Sequence, residues 1–303
     1  MVDQGQSWTE AREAGSDWQL RFMRFLAQNP PSLIYVPLLW GIAFVFAVDT
    51  RRLSARASIS FLTRILGRKP NLRERVRHAC VFSHVYFDRV RLLGAGTEQF
   101  TISVQNADLV HALVKEKKGA VLLGAHYGSF EALRALEREL PGLTVRYLMF
   151  PDHAEKSTAM LKHINPEVSS KVISLANGPM AMIQVGEALG NGEIVAILGD
   201  RLPDRSVKAK TDVAFLGGCI EVPTSPYLTA MAAGVPILLS FARWESKDCY
   251  AANFFPFYNG DSVPRADRNQ KAIAMAQEYA TALEGWCRGD PYNWFNFFNI
   301  WRS

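Results

Sequence analysis

The stretch GAVLLGAHYGSFEAL, residues 119–133, decides how the rest of the chain is read. Its first seven residues are apolar or glycine, follow the charged run KEKK, and are short enough for a strand buried on both faces. Directly after that run comes His126, and five residues later Glu131. Within one helix, residues five apart point about 140° away from each other, so an unbroken helix would keep the two apart. With His126 in the turn before a helix and Glu131 in its first turns, the carboxylate can reach back to one ring nitrogen. The other nitrogen is then left to take a proton, as in acyl transfer by a base and its orienting partner. Ser129 lies between them, but Y-G-S-F-E is not a G-x-S-x-G elbow, and the serine suits a helix cap.

Downstream, short apolar runs alternate with helical segments. Strands are expected at 119–125, 143–150, 193–200, 235–244 and 249–258. Helices are expected at 130–140, 179–189, 225–233 and 267–288, most of them closed by glycine or by Pro-Gly. This order predicts an α/β fold with a central, mostly parallel sheet flanked by helices. In such sheets ligands sit at the carboxyl ends of the strands. His126 and the pair Asp200-Arg201 both fall there, brought from separate parts of the chain.

The amino-terminal part is different. Residues 1–29 read as an amphipathic helix. Leu33 to Val48 is a run of sixteen uncharged residues containing Pro37 and Gly41, shorter than the roughly 20 residues of a perpendicular span. Nine Lys/Arg and one acid, Glu74, follow between Arg51 and Arg77. A greasy helix with a basic flank reads as a membrane-surface anchor, or as a span whose basic side stays cytoplasmic; a core helix followed by a solvated basic face has the same pattern. The expected division is a helical membrane-associating region, 1–77, and an α/β domain, 78–303.

Composition narrows the partners. The 303 residues carry a net charge of +5 and a pI near 9.0, which favours an anionic partner. Four scattered cysteines without metal spacing speak against a zinc site or a disulfide framework, and acyl transfer by a base and its partner needs no metal or bound cofactor. Nucleic acid is not expected either, because the basic run lacks the motifs of known modules.

The stretches GAHYGSFEAL (124–133), AILGDRLPD (196–204), VAFLGGCIEVPTSPYLTAMAAGVPIL (213–238) and PYNWFNFF (291–298) together resemble the bacterial late lipid A acyltransferases, within the glycerolipid acyltransferase superfamily. The resemblance spans roughly residues 8–301. It implies that His126 is the general base and Glu131 its orienting partner, with acyl transfer from a thioester directly to a hydroxyl. Asp200 and Arg201 match a block lining the active site: Arg201 would bind an anionic group or shield the oxyanion, and Asp200 would hold Arg201 or the histidine. A structural ion pair at a strand end is the competing reading of those two residues. Gly217 and Gly218, in FLGG, resemble a turn beside the acyl channel; a plain hairpin turn reads equally well. ILGDRLPDRS replaces the F-P-E-G-x-R-S stretch of glycerol-phosphate acyltransferases, and Arg146 is a poor match to their second block. The lipid A-like branch is therefore favoured.

The implied donor is acyl carrier protein, with coenzyme A also open, and the implied acceptor is a glycolipid or other amphiphile at the cytoplasmic face of the inner membrane. Two rivals remain at this level: a hydrolase using the same pair, and a non-catalytic membrane scaffold that docks an acyl carrier. The aromatic tail PYNWFNFFNIW either packs in the core or lines a hydrocarbon slot. His78 and His84 read as structural.

Overall fold

The computed structural model describes residues 32–94, 97–134, 137, 140–149, 169–202 and 207–302. The expected helix over residues 1–29 lies outside them.

Seven strands form one sheet in the order β1-β9-β8-β2-β5-β3-β4. They are β1 (Thr101–Gln105), β2 (Ala120–Gly124), β3 (Val145–Met149), β4 (Val172–Ser174), β5 (Ile194–Leu198), β8 (Ile237–Ser246) and β9 (Cys249–Tyr258). All neighbouring pairs are parallel except β8 with β9. A second sheet is the antiparallel hairpin of β6 (Lys210–Phe215) and β7 (Gly218–Pro223). The expected α/β fold with a mostly parallel sheet is what forms.

The reason is visible in β2. All five of its residues are buried, and successive side chains point to opposite faces of a strand. Val121 and Leu123 join one core, with residues of α2 (Leu53–Leu66), α5 (Pro179–Gly190), α6 (Ser225–Ala233) and α7 (Arg268–Gly289). Ala120 and Leu122 join the other, with residues of α3 (Leu72–Gly94) and α4 (Ala107–Glu116). A strand buried on both faces must be apolar throughout, which is why residues 119–125 carry no polar side chain.

Topology then marks one place in the sheet. After β2 the chain leaves towards β3 on one side; after β5 it leaves, through the β6–β7 hairpin, towards β8 on the other. The two connections diverge at the carboxyl ends of adjacent strands, the crevice where open α/β sheets bind ligands.

In the described part of the helix expected over 130–140, Glu131–Arg134 form a 3₁₀ turn and Glu137 is α-helical. β1, α4 and the short β4 have no counterpart in the sequence reading. The expected boundary at 77/78 falls inside α3, against which α1 (Ser32–Val48) packs through Tyr35, Leu39 and Ala43. Among the described residues no single helix is long and apolar enough to cross a membrane; α1 and α2 form one bent pair, at 84°, that meets the length and composition together.

Candidate active site

β2 and β5 pair in parallel, with Gly124 opposite Leu198, a separation of 74 residues. His126 and Asp200 are also 74 residues apart. The strand register, carried two residues beyond the last pair, therefore sets them side by side. His126 Nδ1 lies 2.9 Å from Asp200 Oδ1, and the His126 backbone N–H donates to Asp200 Oδ2 at 3.1 Å.

Asp200 is sealed, while the His126 side chain keeps 37% exposure. The orienting group is thus shielded and the ring reachable. Burial pushes the Asp200 carboxyl up, but His126 and Arg201 outweigh it and hold the group well below the usual carboxylate range. A carboxylate only accepts hydrogen bonds, so His126 Nδ1 carries the proton and donates, and Nε2 presents its lone pair. Among the described residues Nε2 has no hydrogen-bond partner. Burial, then the positive charge of Arg201, lower the His126 pKa against the opposing pull of Asp200. The ring is therefore neutral, and competent as a base, at pH 7.

Glu131 does not do what the sequence spacing predicts. Its carboxylate pairs with Arg89 of α3 at 2.6 Å, and Ser129 Oγ lies 3.5 Å from its other oxygen. The chain between His126 and Glu131 is diverted at Gly128, which has φ +62°. There the Gly128 N–H donates to Asn293 O, and the Ser129 N–H donates to Ala242 O of β8. A Cβ on Gly128 would lie 1.8 Å from Ala242 O, so this crossing requires glycine. The turn pins the loop to β8 and sends Glu131 towards α3, while Nδ1 of His126 is taken by Asp200. Ser129 is buried, with its Oγ accepting from the Ala132 N–H at 3.3 Å, in keeping with a capping role.

Arg201 is turned into the protein. Its Nη2 donates to Phe295 O, its Nε lies 3.9 Å from Asp200 Oδ2, and its guanidinium sits over the Phe298 ring at 5.5 Å. Asp200 thus lies beside both groups that the resemblance offered it, and of the two it hydrogen-bonds only His126. Gly217 and Gly218 lie at the tip of the β6–β7 hairpin, where Leu216 (φ 48°) and Gly217 (φ 69°) make the left-handed two-residue turn that such hairpins favour. What approaches Gly218 closely is the Trp301 ring and the Arg64 guanidinium. The structure brings together His126, Asp200 and Arg201; it leaves Glu131 on Arg89 and the two glycines in their turn. Arg146, the other basic candidate, pairs with Glu193 at 2.6 Å.

The carboxyl-terminal aromatic segment packs directly against the pair. Tyr127 bridges Trp294, and the Phe295 N–H donates to His126 O at 2.8 Å. Trp294 is fully buried and its indole Nε1–H donates to Asp200 Oδ2 at 3.0 Å. Sequence reasoning assigned this segment to core or slot and did not see that it supplies a donor to the site. Its only signal was its place among the four blocks of the resemblance.

Fold and site together define an α/β protein that presents a histidine–aspartate pair at the topological switch point of a mostly parallel sheet. Comparison with protein families is more specific: residues 83–303 match the bacterial lipid A biosynthesis acyltransferase family, and the chain belongs to it. The protein is accordingly an acyltransferase that acts on a lipid. No curated protein matches the chain.

Proposed function

We propose that this acyltransferase moves a fatty acyl chain from an acyl thioester, carried on acyl carrier protein, to a hydroxyl of a glycolipid at the cytoplasmic face of the inner membrane. The observation behind this reading is the neutral, reachable Nε2 of a ring whose Nδ1 is fixed on a sealed carboxylate. The acceptor O–H gives its proton to Nε2 as its oxygen bonds to the thioester carbonyl carbon. The resulting oxyanion collapses, the C–S bond breaks, and the leaving thiolate takes the proton back from the imidazolium. Asp200 fixes the tautomer and stabilises that imidazolium. Arg201 adds positive charge beside the pair, which favours a developing oxyanion.

The net charge of +5 supports an acidic carrier as donor partner. α1 supports a membrane surface: one face packs on α3, while Leu33, Ile34, Trp40, Ile42, Phe44 and Val45 face outward, each about half exposed or more. An apolar face this long on one helix, followed by the basic residues of α2 and α3, suits an interface of apolar tails and anionic headgroups.

The test is a transfer assay with acyl carrier protein thioester and lipid acceptor. His126→Ala should cut the rate by roughly 10²–10⁴-fold. A variant retaining wild-type transfer would refute the base assignment. Fatty acid released equally fast with and without acceptor would point to hydrolysis instead.

A further inference from the structure

A column of buried polar groups runs from α2 to the base. Ser58 Oγ lies 2.8 Å from His78 Nδ1, and His78 Nε2 lies 2.9 Å from Trp294 O. Trp294 Nε1 then reaches Asp200 Oδ2 at 3.0 Å, and Asp200 Oδ1 holds His126 Nδ1 at 2.9 Å. Ser58, His78, Trp294 and Asp200 are all at most 3% exposed. The direction of each bond follows from chemistry. A carbonyl only accepts, so His78 Nε2 carries the hydrogen and Nδ1 accepts from the Ser58 hydroxyl. Burial pushes the His78 pKa down to about 4, so this tautomer is neutral throughout the working range. The indole ring is also pinned edge-on by Phe61 of α2, at 4.9 Å, and by Phe215, at 5.2 Å.

We propose that Trp294 is a positioning residue for the catalytic base, holding the second oxygen of Asp200 and itself keyed to the amino-terminal helices through His78 and Ser58. The inference rests on the reading of His126–Asp200 as base and orienter. Asp200 Oδ2 has two donors among the described residues, the His126 backbone N–H at 3.1 Å and the indole N–H at 3.0 Å. Remove it and the carboxylate can rotate about its remaining contacts, carrying the imidazole with it. Trp294 therefore links helices that approach the membrane surface to the orientation of a ring at the sheet edge.

Trp294→Phe removes the N–H and keeps most of the ring. We expect kcat to fall roughly 10- to 100-fold, as for loss of one hydrogen bond to a charged group. KM for the donor stays within about twofold, because the substrate is not touched. The acid limb of the rate profile moves to higher pH, since a carboxylate with one donor fewer stabilises the imidazolium more. The charged groups around that ring are Asp200, Arg201 and the Arg89–Glu131 pair, and this substitution alters none of them. A folded Trp294→Phe protein with wild-type kcat and an unmoved limb overturns the proposal. Independently of folding, the indole N–H resonance of Trp294 in the wild-type protein should titrate with the His126 midpoint; a flat resonance also overturns it. His126→Ala separates the two levels: full activity there removes the base itself, whereas an inactive His126→Ala beside an unaffected Trp294→Phe removes only the positioning role.

Discussion

At the scale of the residue, the choice between two carboxylates is the central one. Asp200 holds the His126 ring at 2.9 Å, and Glu131 holds Arg89 at 2.6 Å. Replacing each by its amide separates their roles. Asp200→Asn should lower kcat by roughly 10³–10⁴-fold, because the amide permits the wrong tautomer and cannot stabilise an imidazolium. Glu131→Gln should cost about tenfold or less, since a side-chain amide can still accept from Arg89. Steady-state rates of the two variants settle the order; a Glu131→Gln loss as deep as that of Asp200→Asn would restore Glu131 as the orienter. The pH dependence follows from the same contacts. Burial and Arg201 lower the His126 pKa below its ordinary 6.5, and the base works unprotonated. Activity should therefore be level above that value and decline as pH falls through a midpoint below it. A midpoint above 6.5 in the kcat/KM profile would contradict the geometry.

At the scale of the element, the loop after β2 is positioned by β8 and the carboxyl-terminal segment rather than by its own helix. Gly128 crosses under Ala242 with its backbone in the left-handed region. Gly128→Ala adds about 1–2 kcal/mol of backbone strain, and the collision with a main-chain oxygen adds to it. The expected result is a clear fall in thermal midpoint together with loss of transfer. An unchanged midpoint would mean that the loop has another seat. The hairpin turn at Leu216-Gly217 shows the limit of a motif. Two glycines do permit close approach, and at Gly218 the approaching groups are Trp301 and Arg64.

At the scale of the whole molecule, α1 joins the catalytic domain through α3 and presents its other face outward. Trp40 and Phe44 are each about half exposed there. Replacing both by Asp should weaken co-sedimentation with anionic phospholipid vesicles by tenfold or more, given roughly 1.5–3 kcal/mol for each large apolar side chain buried. The thermal midpoint should hold, because neither side chain is packed in a core. Added salt should weaken the wild-type interaction further, through screening of the basic flank. Vesicle binding indifferent to both changes would remove α1 as the docking element.

The sequence alone determined most of the strands and helices, though not β1, β4 or the order of strands in the sheet. Period and punctuation are local, so strands such as 249–258 and helices such as 225–233 were read to the residue. It also marked His126, Asp200 and Arg201 as arriving at one edge. It could not choose His126's partner, because a parallel register is not written in either strand. Only the pairing of β2 with β5 makes a separation of 74 residues a hydrogen bond, while one of five residues becomes a divergence at Gly128. The same holds for Trp294, whose indole meets Asp200 through a closure nearly a hundred residues long. Local chemistry selects the elements; contacts between distant segments select which side chains act together.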